Sequence, residues 1–289
     1  MNVDVAINVY GKPYNTAVTL LSLLKHSGQH INKIYFIEEL KQPENSDFTF
    51  LLDLLKEKII HYKPKYWFWT EQIKPDKLKD PEYRYGVRYQ YAWENSDKNY
   101  LFLTHNDVLY TGDIVGAFLE NMEDHIGIGS VGQCWNCPAS DAKLCNGDEY
   151  LSYKPSYKEF EALLKNYNAP RKKDYKNFVN KKNPWPLPEC RLNEWVAMIN
   201  LKVAREITYP KGDAIPFGVY GLDLATLWFR DVLQKGYTVK NYNFNNLAHH
   251  AWTTTTGNGH GALFNKDLYQ DSESIAKQKL AEEFVLKFG

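Results

Sequence analysis

Hydrophobic positions in the first half of the chain follow two alternating periods. Residues 3–10 form an almost wholly apolar run of strand length. Residues 16–26 then place Ala17, Leu20, Leu21 and Leu24 on one helical face, with Gly28 expected as the left-handed residue after the helix. The order repeats as a strand at 33–39, a helix at 48–58 carrying Leu51, Leu54 and Leu55, a strand at 59–69, a helix at 83–93 and a strand at 100–104. A stretch at 154–188, dominated by Lys, Asn, Tyr and Pro, interrupts the pattern and reads as a solvated surface insertion. Beyond it come 193–203, the turn-rich IPFGVYGLD, and a helix at 224–234 with Leu224, Leu227, Trp228 and Val232 on one face and Gly236 as its stop. A strand at 237–244 follows. An amphipathic helix at 272–288 (Ile275, Leu280, Phe284, Val285) is expected to pack on the body of the protein.

Strand and helix alternating in this way imply an α/β protein whose mostly parallel central sheet is flanked by helices on both faces. The 289 residues suit one such domain with an insertion: 1–125 as one half, 126–192 as a cysteine-containing insertion, and 193–289 as the second half with a C-terminal helix. Ligands in sheets of this type bind at the carboxyl ends of the strands. That rule gathers Tyr10-Gly11-Lys12-Pro13, Glu38-Glu39 and His105-Asn106-Asp107 on one rim. Lys plus Arg and Asp plus Glu are balanced at 35 each, which excludes a general nucleic-acid binder. Aromatics make up 15% of the chain, and core packing accounts for most of them, with Trp185, Trp195, Tyr220 and Trp252 as candidate sugar-stacking rings. The first residues lack a basic and apolar leader pattern, and no apolar run is long enough to span a bilayer. A cytoplasmic location is therefore expected, with peripheral association at the inner membrane face left open.

The candidate chemistry lies at the rim. Asp107, at the end of YLFLT, can supply an oxygen ligand to Mn²⁺ or Mg²⁺, or with Asn106 merely form an Asx turn. Asp223 precedes a helix, where it reads as a site carboxylate or as a cap, and His249-His250 stand near the last strand. The order of strand plus YGKP, strand plus EE, the arginine-bearing YRYGVRYQYAW, YLFLTHND, and PFGVYGLD before a helix ending in KGYTV resembles the GT-A glycosyltransferases. The likeness is greatest to glycosyltransferase family 2 and covers about 1–125 and 190–255.

The resemblance implies a GT-A, Rossmann-like fold and transfer of a sugar from a nucleotide-sugar donor to a glycan or glycolipid acceptor. It assigns the donor nucleotide to Val9, Tyr10, Lys12, Glu38 or Glu39, Arg84, Arg88 and Asn106. It assigns the metal to Asp107 with His249 or His250; only the last residue of the family's D-x-D motif is present, as His105-Asn106-Asp107. The family's Glu-Asp pair corresponds to Leu222-Asp223, which leaves Asp223 as general base of an inverting reaction, with Glu194 the second candidate. A sugar-phosphate nucleotidyltransferase is the alternative enzyme, although YGKPYN is a poor match to the glycine-rich basic loop it needs. A zinc-stapled carbohydrate-binding or interaction protein is the non-enzymatic alternative.

The cysteines carry a separate signal. Cys134-Trp-Asn-Cys137 is a C-x-x-C knuckle, and with Cys145 and Cys190 it offers four thiolates for a structural Zn²⁺ that would pin the insertion at both ends; four unlinked thiols are the other reading. The glycine-rich 257–261 reads as a loop able to close over a donor.

Overall fold

The computed structural model describes residues 2–68, 73–175, 177–179, 181–254 and 264–284. The glycine-rich 257–261 and Val285 lie outside the described residues. Seven strands form the main sheet: β1 (Val3–Val9), β2 (Ile31–Glu38), β3 (Ile59–Tyr62), β4 (Tyr100–Thr104), β6 (Gly127–Val131), β7 (Leu192–Asn200) and β8 (Val239–Asn241), in the order β3-β2-β1-β4-β7-β6-β8. A ribbon of β5 (Val108–Tyr110) and β9 (Ala248–His250) stands beside it. Pairing is parallel from β3 through β4 and between β6 and β8, whereas β7 is antiparallel to both of its neighbours. Only β7 is reversed, so its amino end shares a rim with the carboxyl ends of the other six.

Alternate residues of each strand feed two cores, one per face. Ala6, Tyr35, Ile37, Leu101, Leu103, Ala197 and Ile199 join one. Val5, Ile7, Ile34, Phe36, Phe102, Val196 and Met198 join the other, beneath the helix Pro13–Ser27. Burial on both faces explains the near-continuous apolar runs of the central strands.

Several elements differ from the periodicity. The first helix starts at Pro13, and Gly28 keeps right-handed angles (φ −59°) instead of the expected left-handed ones; Gly236, at φ +88°, does act as the stop. The 83–93 segment is two short helices, Pro81–Arg84 and Gln90–Asn95, because Tyr89 is left-handed (φ 65°) and Arg88 bridges to Gly218. A Cβ on Gly218 would stand 2.2 Å from the Arg88 carbonyl oxygen, so the close approach requires glycine. The 193–203 segment is β7 followed by the helix Leu201–Ile207. Strand β6 lies within 126–192, so the segment outside the main sheet begins only after Val131.

The 154–188 stretch is not merely a solvated surface. It holds the helix Tyr157–Asn166, started by a Ser156/Glu159 capping box, and the fully buried Tyr175. The C-terminal helix, Lys266–Glu283, packs against Pro13–Ser27 through Ala276 and Leu280 while Ile275 faces solvent. No helix among the described residues is long and apolar enough to cross a membrane.

The aromatic excess is mostly core. Trp93, Phe217 and Trp228 form one cluster, with ring centroids 5.0 Å (Phe217–Trp228) to 6.1 Å (Trp93–Phe217) apart, and Trp228 Nε1 donates to Thr208 Oγ1 at 3.0 Å. Replacing Trp228 with Ala removes a fully buried indole and orphans that hydroxyl. The expected cost is about 3–5 kcal/mol in urea denaturation, and a loss below about 1 kcal/mol would show that this cluster is not a packed core.

Candidate active site

The site is built around one strained residue. Lys12, in the loop after β1, has φ 57° and ψ 55°, a left-handed conformation that costs a non-glycine residue roughly 1–3 kcal/mol. The surrounding loops hold it there. Lys12 N–H donates to Tyr269 Oη at 2.7 Å, Gly11 N–H to Gln42 Oε1 at 2.7 Å, and Asn106 Nδ2 to Gly11 O at 2.9 Å. The next turn is fixed by Glu273, whose carboxylate accepts from the Tyr14 and Asn15 N–H groups at the start of the helix. The result is a buried ion pair, Lys12 Nζ to Asp107 Oδ2 at 2.8 Å.

From Asp107 a line of polar groups runs across the rim. His250 Nε2 is 3.4 Å from Asp107 Oδ1 and 3.3 Å from His105 Nδ1. His105 Nε2 is 3.3 Å from Glu194 Oε1, and the other oxygen of Glu194 pairs with Arg191. Arg191 also reaches Asp223 Oδ2 at 3.2 Å, where Arg171 (3.3 Å) and Gln133 Nε2 (2.9 Å) converge. Arg171 in turn pairs with the buried Glu189, which accepts the Tyr175 hydroxyl. The reversal of β7 makes the line continuous: Thr104 pairs with Val196, and His105 N–H donates to Trp195 O at 3.1 Å, so Glu194 arrives beside His105.

Asp107 and Glu194 stay ionised although buried. Burial opposes ionisation of Asp107, yet the nearby His250 and the Lys12 ammonium outweigh it and hold the carboxyl well below the usual range. Burial likewise opposes the charge of Glu194, and Arg191 with His105 outweighs it. Burial lowers the His105 pKa despite the pull of Glu194, favouring the neutral ring. A carboxylate with two imidazoles beside it forms a metal-binding donor set. One ligand atom each from His105, Asp107 and His250 lies within 4.8 Å of the others. Trp195 stacks on His250 (4.9 Å between centroids, 18° between planes) and fixes its ring.

The rim residues expected from the sequence are distributed unevenly. Asp107, His250, Glu194, Asp223, Lys12 and Asn106 come together. His249 does not: successive side chains on β9 point to opposite sides, and His249 is exposed while His250 faces Asp107. Arg84 is buried in a two-pronged pair with Glu94 and also donates to Leu78 O, which commits it to the fold. Glu38 pairs with His61 and Lys63 at the sheet edge, whereas Glu39 is buried against Asn8 and Arg88. Tyr10 stacks on Trp67 at 6.4 Å, with Lys41 Nζ 4.6 Å from the Trp67 centroid, and the Val9 carbonyl anchors Gln42. Asp223 does not cap a helix; Ala225 (φ 62°) holds that position at Thr226–Gln234.

Five participants were missed: His105, Gln133, Arg171, Glu189 and Arg191. Only His105 carried a signal, as the first residue of the D-x-D-like triplet. Removing the cation from a buried pair should reveal how much the line depends on it. For Arg191→Met we expect a loss of about 3–5 kcal/mol in chemical denaturation, because Glu194 keeps its burial and loses its counter-charge. The added change Glu194→Gln should restore part of that loss, and additive effects of the two would refute the coupling.

No protein-family model matches the chain, and no curated protein does. Solved structures do match by shape. A mannosyltransferase from Pyrobaculum calidifontis, in complex with GDP-Man and Mn²⁺, superposes with a TM-score of 0.50 at 9% identity over 96% of this chain. The chain spans 64% of that enzyme's length. Mouse xyloside xylosyltransferase 1 gives 0.42 at 13% identity, covering 84% of this chain and 86% of that one. Glucosyl-3-phosphoglycerate synthase from Mycobacterium tuberculosis gives 0.42 at 9% identity, covering 83% and 67%. With its mostly parallel sheet and a donor-lined rim after β4, the chain has the GT-A fold of glycosyltransferases.

Proposed function

We propose that the protein is a glycosyltransferase that moves a sugar from a nucleotide-sugar donor to a hydroxyl of a glycan or glycolipid acceptor. One observation carries the reading: in a GT-A sheet, His105, Asp107 and His250 converge at the carboxyl end of β4, beside the loop that follows β1. The mannosyltransferase of similar fold, solved with GDP-Man and Mn²⁺, supports it.

The residues fit a divalent cation. Asp107 Oδ1 and His105 Nε2 are buried with no well-formed hydrogen bond, their neighbours His250 Nε2 and Glu194 Oε1 standing off at 3.4 Å and 3.3 Å, a costly arrangement for polar atoms. Along the line four carboxylates (Asp107, Glu194, Asp223, Glu189) face three fixed cations (Lys12, Arg191, Arg171). A cation relieves that excess of negative charge. One carboxylate with two imidazoles suits Mn²⁺, and Mg²⁺ less well. When bound, the metal would neutralise charge building on the departing diphosphate.

The chain's own groups divide the remaining work. Glu194 has both oxygens engaged, so it acts as a positioning residue that turns His105 toward the other two donors. Tyr10 and Trp67 form an aromatic shelf at the donor rim, and Arg88 stands beside Glu39. Asp223, the more accessible carboxylate at 23% side-chain exposure, takes the proton of the acceptor hydroxyl. Gln133, Arg171 and Arg191 aim its Oδ2. A single base on the acceptor side gives in-line displacement with inversion.

Asp223→Asn keeps the shape and removes the base. With a panel of UDP, GDP, CMP and TDP sugars, we expect turnover to fall about 10²–10⁴-fold with donor affinity little changed. Turnover within about threefold of the unaltered protein would remove Asp223 from the role.

A further inference from the structure

The proposed transfer chemistry makes no use of the four cysteines. Cys134 and Cys137 flank the short turn after β6, Cys145 follows the helix Pro138–Asp141, and Cys190 lies two residues before β7. Nevertheless all four line one small cavity of about 10 Å³. All are free thiols, and Cys137, Cys145 and Cys190 are buried. The main chain closes in on the sulfurs: Cys134 Sγ–H donates to Val131 O at 4.0 Å and Cys145 Sγ–H to Asn146 O at 3.5 Å. Burial pushes all four thiols up, so they keep their protons until a metal displaces them. Two glycines allow the close approach: a Cβ on Gly132 (φ +86°) would lie 3.1 Å from Cys134 Sγ, and one on Gly147 would lie 2.8 Å from Val131 O.

We propose that Cys134, Cys137, Cys145 and Cys190 bind one structural Zn²⁺. Among the described residues only the His105 set has donor atoms all within 4.8 Å of one another, so the sulfurs must close on the ion by side-chain rotation to reach Zn–S distances of about 2.3 Å. Four S–H bonds are replaced by four Zn–S bonds, four protons leave to solvent, and nothing is oxidised or reduced. A sulfur-only tetrahedral set selects zinc over the oxygen-seeking cations suited to the rim, and being closed it leaves no position for a substrate.

The placement gives the ion a purpose. Gln133, which donates to Asp223, immediately precedes Cys134, and Arg191, which pairs with Asp223 and Glu194, immediately follows Cys190. Zinc would therefore clamp the two chain segments that aim Asp223.

The test uses the full-length protein, purified under reducing conditions without added metal. Elemental analysis should find about one zinc per chain, and Co²⁺ added to the stripped protein should produce thiolate-to-cobalt charge-transfer absorption. All four thiols should resist a disulfide reagent until a chelator is added. Zinc content should persist in Asp107→Asn and fall in Cys190→Ser. Should Cys190→Ser not fold, the readings on the unaltered protein decide. Folded protein with less than about a tenth of a zinc per chain and no cobalt–thiolate band would overturn the proposal. So would iron in place of zinc, or zinc lost equally in Asp107→Asn.

Discussion

The Lys12–Asp107 pair is the constraint on which the site depends. A buried ion pair recovers its desolvation cost only when geometry and further hydrogen bonds are good. Here the geometry requires Lys12 to sit in left-handed backbone, and that conformation persists because Tyr269, Gln42 and Asn106 hold its loop from three directions. The C-terminal helix therefore contributes to the site without lining it: Tyr269 and Glu273 fix the turn that delivers the ammonium.

From that pair the contacts continue through His250 and His105 to Glu194, Arg191 and Asp223, so the donor and acceptor sides are mechanically joined. The topology supplies the joint. Strand β7 runs against its neighbours and brings Arg191 and Glu194 to a rim otherwise built from strand carboxyl ends. Asp107 has Lys12 on one oxygen, and its other oxygen, Oδ1, is the one left between Asp107 and His250 for a cation.

The neutral total charge of the chain concealed this local polarity. Periods of two and 3.6 residues made the central strands, the first helix and the parallel sheet legible, because those elements bury one or both faces and must be apolar accordingly. Asp107 and His250 were legible from their place beside strand ends. What was hidden is long-range. Nothing in the sequence says that β7 is reversed, and without that reversal Glu194 reads as an acid at a strand start. Arg171 sits in a lysine-rich stretch indistinguishable by composition from a solvated loop, yet it reaches Asp223 across the fold. His249 and His250 are equivalent in sequence, and only the direction in which β9 pairs with β5 chooses between them. Arg84 and Arg88 lie four residues apart in one apparent helix that the left-handed Tyr89 helps to divide into two.

The central claim is that the rim binds a sugar nucleotide through a metal held by Asp107 and its two histidines. The direct measurement is the melting temperature of the unaltered protein and of Asp107→Asn with UDP, GDP, CMP and TDP sugars, each with and without Mn²⁺, since a ligand that binds only the native state raises it. The account predicts that one donor class raises the melting temperature of the unaltered protein only when Mn²⁺ is present and leaves that of Asp107→Asn unmoved. Failure of every donor to stabilise the unaltered protein, with or without metal, would contradict it.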